Sequence, residues 1–117
     1  MAVKRIVSNF AVDDIAKVRA FYEDVLGLDC VMDHGWIATF AAERQNVMPQ
    51  VSFATEGGSG TPVPDLSIEV DDLEDMLARV KEAGIGIEYG PAVEPWGVKR
   101  FYVRDPAGRL LNILCHV

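Results

Sequence analysis

The chain has 117 residues, 50% of them hydrophobic and 25% charged, which fits a single domain over 1–117 with one continuous core. Its formal net charge of −7 argues against nucleic acid and against membrane surfaces as partners, since phosphate has to be met by basic patches. No apolar run approaches the about 20 residues of a membrane span, and Met1-Ala2-Val3-Lys4-Arg5-Ile6-Val7 lacks the apolar core of a signal peptide, so a cytoplasmic location is expected.

Residues 4–12 mix β-branched and polar side chains and predict a strand. Asp13 and Asp14 then supply an N-cap, and Ile15, Val18, Tyr22, Val25 and Leu26 are spaced as one face of a helix that Gly27 stops. Leu28 to Met32 and Trp36 to Phe40 predict two strands joined by a turn at Asp33-His34-Gly35, and Val47 to Ala54 a further strand. Cys30 and Cys115 each sit among apolar neighbours without metal-type spacing, which suits buried, reduced thiols.

The second half repeats that order. Val70-Asp71-Asp72-Leu73 echoes Val12-Asp13-Asp14-Ile15 almost half a chain later. Pro64 to Val70 predicts a strand, and Leu73, Met76, Leu77, Val80 and Ala83 form the apolar stripe of a second helix ended by Gly84. Ile85 to Tyr89 reads as a strand, residues 90–97 as a loop, and Lys99 to Arg104 with Arg109 to His116 as a hairpin around Asp105-Pro106-Ala107-Gly108. Residues 54–65, rich in Gly, Ser, Thr and Pro, read as a flexible connector with little to pack. The fold class is therefore α+β: two tandem βαβββ modules, over approximately 1–56 and 63–117, forming a curved mixed sheet cup with helices on its outer face.

The stretches "VDDIAKVRAFYEDVLGL", "DLSIEVDDLEDMLARVKEAGI" and "FYVRDPAGRLLNIL" resemble the vicinal oxygen chelate superfamily, which includes glyoxalases, extradiol dioxygenases and bleomycin resistance proteins. In its metal-dependent members the resemblance implies a divalent ion on two ligands from each half. The corresponding positions here are Val7, Gln50, Asp65 and Asn112, with Ser52 one step from Gln50 along the same face. A valine cannot bind a metal, and one carboxylate with two amides is a poor donor set for transition ions, so no cofactor is expected. His34 and His116 fall in a turn and beside the C-terminus, away from these positions, although His34 could also reach a neighbouring subunit's pocket.

Two readings of the cup follow. As a binding cup it would use Asn9, Trp36, Gln50, Ser52, Asp65, Trp96, Arg100, Tyr102 and Asn112, with part of the aromatic set Trp36, Phe53, Trp96, Phe101 and Tyr102 at the pocket and the rest in the core. Trp96, between Pro95 and Gly97, is expected on a mobile loop at the rim, and Arg100 and Tyr102 on the inward face of their strand. The acidic balance and the aromatic residues suit an aromatic or cationic small molecule, while Arg100 would favour an anionic group. The resemblance implies a metal-independent binding protein of the bleomycin resistance type that sequesters an antibiotic and assembles as a homodimer. The alternative is a glyoxalase-like lyase, isomerase or dioxygenase whose metal rests on atypical ligands, and a module without a ligand is the third reading. Asp65 and Glu69 could do acid-base work in the cup, or Asp65 could bond the adjoining backbone while Glu69 meets solvent.

Overall fold

A computed structural model of the chain describes residues 12–42 and 55–117. Helix α1 (Ile15–Arg19) starts at Asp14, whose carboxylate accepts from the Ala16 amide, and runs without a break into a π-helical turn, Ala20–Val25. The wider turn, with Leu26 donating to Phe21 O, brings Phe21 onto the buried face together with Tyr22, Val25 and Leu26. Sequence spacing alone assumes a uniform α-helical period and so left Phe21 off that face. Gly27, at φ +72°, ends the turn as expected.

Strands β1 (Asp29–Asp33) and β2 (Ala38–Ala41) form the expected antiparallel hairpin, with a bulge between Cys30 and Met32. Its turn is closed by Asp33, which accepts from the Gly35 amide. The strands expected over 4–12 and 47–54 lie outside the described residues, apart from Val12, which is not in a strand.

In the second half, strand β3 (Leu66–Glu69) leads into α2 (Leu73–Glu82). Asp72 caps α2 by accepting from the Asp75 amide, and acidic residues in its first turn and basic residues in its last complement the helix dipole. At its end Ile85 donates to Val80 O and Gly84 to Lys81 O, a doubly bonded stop that leaves Ala83 exposed at the C-cap instead of on the apolar stripe.

Strand β4 is Tyr89–Glu94, β5 is Val98–Arg104 and β6 is Leu110–His116. β4 corrects the sequence expectation of a strand over Ile85–Tyr89 and a loop over 90–97: residues 85–88 are not in a strand, and the strand begins at Tyr89. Among the described residues β4 is an edge strand with a register shift between Tyr89 and Ala92, so the missing amide donor of Pro91 is tolerated there. Only Pro95-Trp96-Gly97 remain as the turn between β4 and β5. The strand order is β3-β6-β5-β4, with β3 and β6 parallel and the other pairs antiparallel.

Both helices cover one face of this sheet. Phe101 and Val103 of β5 and Leu111 and Ile113 of β6 meet Phe21, Tyr22, Val25 and Leu26 from the first helix and Leu73, Met76, Leu77 and Val80 from α2. Cys30 and Cys115 are both partly buried, where full burial was expected. The architecture is mixed α+β, with two short helices on a mixed sheet.

Candidate functional site

Alternation along β5 sends Phe101 and Val103 into the helix-covered core, so Arg100 and Tyr102 stand on the opposite face. Strand register places Ser67, Asn112, Tyr102 and Tyr89 in one row across that face, with Glu69, Leu114 and Arg100 in the next. Arg100 and Tyr102 thus share the sheet face away from the helices.

Their side chains are nonetheless buried, Arg100 at 3% and Tyr102 at 1% exposure, because residues 57–62 lie across them. Arg100 Nη1 donates to Gly57 O at 2.8 Å and Nη2 to Gly58 O at 3.2 Å. The Tyr102 hydroxyl accepts from Arg100 Nη1 at 2.9 Å, lies 3.0 Å from Thr61 Oγ1 and reaches Pro62 O at 3.3 Å. A Cβ on Gly57 would come within 2.5 Å of that hydroxyl, so only glycine allows the approach. The connector is therefore a strap bonded to the sheet, not a loose linker.

Arg100 is also the electrostatic centre of the face. Its guanidinium carbon lies 5.3 Å from the Tyr89 ring centroid, 5.0 Å from Trp96 and 5.0 Å from Tyr102, all within cation–π range. Glu94 sits 3.6 Å from Arg100 Nε, with both side chains buried. Hydrogen bonds from Ser59 and Tyr89 to the Glu94 carboxylate, with the Arg100 charge behind them, hold its pKa below the ordinary value. On this face Arg100 Nε and Asn112 Oδ1 are buried without a hydrogen-bond partner among the described residues. Asn112 is 7% exposed and donates from Nδ2 to Ser67 Oγ at 3.1 Å.

The other expected site residues scatter. Trp96 forms part of the turn at Pro95-Trp96-Gly97, half exposed, with its ring packed against Gly58 and over Arg100. Trp36 is 77% exposed on the β1–β2 hairpin, where it stacks on His34. Phe101 belongs to the core. Asp65 takes the backbone role: its Oδ2 accepts from the Leu110 amide and its own amide donates to Leu110 O, both at 2.8 Å. Glu69 pairs with His116 at 2.7 Å in the open. Val7, Asn9, Gln50, Ser52 and Phe53 lie outside the described residues.

Sequence reasoning missed Glu94, Tyr89, Ser59 and Thr61. The available signal was Gly57-Gly58-Ser59-Gly60, a run suited to close backbone approach as much as to flexibility.

Of the four positions that the resemblance assigns to a metal, Asp65 and Asn112 lie among the described residues and make a poor donor pair for a transition ion. Asp65 already binds a backbone amide, Asn112 offers one amide oxygen, and position 7 is a hydrocarbon. Among the described residues, no group of three or more His, Cys, Asp or Glu could hold an ion.

A family model described as the Glyoxalase/Bleomycin resistance protein/Dioxygenase superfamily matches residues 3–113. A search of curated proteins by sequence finds no significant match. Among solved structures, a virulence protein from Salmonella typhimurium is 26% identical with a TM-score of 0.64, covering 96% of this chain and 99% of that one. TnmS3, an antibiotic binding protein from Streptomyces sp. CB03234, is 23% identical with a TM-score of 0.67, covering 91% and 89%. A lactoylglutathione lyase from Agrobacterium tumefaciens is 22% identical with a TM-score of 0.63, covering 89% and 86%.

Proposed function

We propose that this chain, which belongs to the Glyoxalase/Bleomycin resistance protein/Dioxygenase superfamily, is a metal-independent small-molecule binding protein whose physiological role is antibiotic sequestration. One observation carries the reading: a buried guanidinium, Arg100, stands among three aromatic rings on the sheet face away from the helices. Arg100 is balanced by the buried Glu94, and the tyrosine and tryptophan rings around it favour a flat organic ligand. The antibiotic binding protein among the structural neighbours supports the same reading. A homodimer in the cytoplasm, each subunit holding a ligand in its cup, completes it.

A second reading keeps a metal. Asn112 Oδ1 is an unpartnered buried acceptor at a superfamily ligand position, and a lactoylglutathione lyase is among the neighbours. In that case a bound ion would polarise substrate oxygens.

Metal analysis separates the two. Purified protein incubated with nickel, zinc, manganese or ferrous iron and then desalted retains no stoichiometric metal on the binding reading. Near-stoichiometric retention that disappears in Asp65→Ala would establish the lyase-like reading instead.

A further inference from the structure

Resting on the small-molecule reading above, we propose that residues 57–61 are a displaceable internal occupant of the Arg100 site, and that its ligand is a neutral, flat aromatic molecule with adjacent carbonyl and hydroxyl oxygens. The strap occupies the site in the manner of a ligand. It offers two neighbouring carbonyl oxygens, Gly57 O and Gly58 O, to the two terminal nitrogens of one guanidinium. It also offers one hydroxyl donor, Ser59 Oγ, to the Glu94 carboxylate. A planar molecule with paired acceptor oxygens and a hydroxyl reproduces that set and adds an aromatic surface beside Trp96, whose ring lies against Gly58 of the strap and beside Arg100.

The strap is attached in a way that allows exchange. It contributes no side chain to the hydrophobic core, so its hold is polar. Gly58, Ser59 and Gly60 adopt φ of +86°, +53° and +75°, and a serine at positive φ persists only where surrounding bonds impose it. Among the described residues, the strap leaves Asn112 Oδ1 on the same face buried without a hydrogen-bond partner, and Arg100 Nε meets only the Glu94 carboxylate at 3.6 Å.

Charge selects the class. Arg100 and Glu94 are buried together 3.6 Å apart and cancel, and the strap that covers them is neutral. A neutral ligand preserves that balance. A carboxylate would set a second negative charge beside Glu94, and a cation would crowd Arg100.

The test uses three probes of similar size: neutral 3-hydroxyflavone, anionic 3-hydroxy-2-naphthoate and cationic N-methylacridinium. Binding is followed by fluorescence, and hydrogen exchange is followed at the amides of Gly57 and Thr61, which are bonded to Thr61 O and Gly58 O in the free protein. The proposal expects saturable binding of 3-hydroxyflavone with faster exchange over 57–61. Ser59→Ala, a change at an exposed position that removes the bond to Glu94, should tighten binding about fivefold, the effect of weakening an internal competitor by one net hydrogen bond. Thr61→Val, which removes the bond to Gly58 O, should act in the same direction. Binding with unchanged exchange at 57–61 would overturn the strap while leaving a small-molecule protein with its ligand elsewhere. Preference for the charged probes would overturn the ligand class, and no binding of any probe even in Ser59→Ala would overturn the proposal outright. The metal analysis decides the broader reading separately.

Discussion

The Tyr22 hydroxyl donates to Asp105 Oδ2 at 2.8 Å, joining the π-helical turn of the first half to the hairpin turn that closes the second. Asp105 Oδ1 at the same time accepts from the amides of Ala107 and Arg109, so one buried carboxylate organises the turn and receives the helix. Burial, then the bond to Asp105 and its charge, push the Tyr22 pKa up, which keeps the phenol a donor across the ordinary pH range.

Tyr22→Phe removes that donor and leaves Asp105 Oδ2 without it. The loss of a hydrogen bond to a charged group predicts destabilisation by about 2 kcal/mol, or a fall of about 8 °C in Tm. Thermal unfolding followed by circular dichroism checks it. An unchanged midpoint would mean that the two halves are not coupled through this bond.

Glu94 sets an acid limit on the strap. Because its folded pKa lies below its ordinary 4.5, its contribution to stability is complete above that value and is lost as pH falls through the lowered one. Glu94→Gln should therefore flatten the fall in Tm below about pH 4.5, while lowering Tm at neutral pH by leaving Arg100 buried without its partner. Melting curves of both proteins from neutral pH into acid test the sign. A steeper acid loss in the variant would contradict the assignment.

Gly58→Ala and Gly60→Ala separate close packing from backbone conformation. Both glycines have positive φ, but a Cβ on Gly58 would lie 2.6 Å from the Trp96 ring, whereas one on Gly60 meets nothing within 4 Å. Gly60→Ala should cost about 1 kcal/mol, the left-handed penalty alone. Gly58→Ala should cost more and also expose Trp96, seen as a red-shifted emission and stronger acrylamide quenching. Equal effects at the two positions would show that the strap does not press on the tryptophan.

Local chemistry made much of the second half legible. Asp72 as cap, Gly84 as stop, the Leu73-Met76-Leu77-Val80 stripe and the Asp105-Gly108 turn all follow from interactions within a few residues, and all stand. What sequence missed depends on distant partners. Residues 90–94 become a strand because β5 offers a pairing edge, overriding the turn chemistry of Gly90 and Pro91. Residues 57–62 become ordered because Arg100, 43 positions later, binds the Gly57 carbonyl. The same long reach explains the candidate site. Strand alternation puts Arg100 and Tyr102 on one face, Trp96 reaches Arg100 from the adjoining turn, and Glu94 and Tyr89 join them only through the β4–β5 register. Asp65, a ligand position by resemblance, is taken up by the Leu110 amide, a contact between strands that spacing does not reveal.

The most direct test of metal-independent binding is a titration of the protein with 3-hydroxyflavone, followed by tryptophan quenching, in excess chelator and again with protein incubated with manganese, nickel or zinc and desalted, so that no free metal chelates the probe. The account predicts saturable binding with the same Kd in every condition. Binding that vanishes in chelator and returns with one of the metals would contradict it.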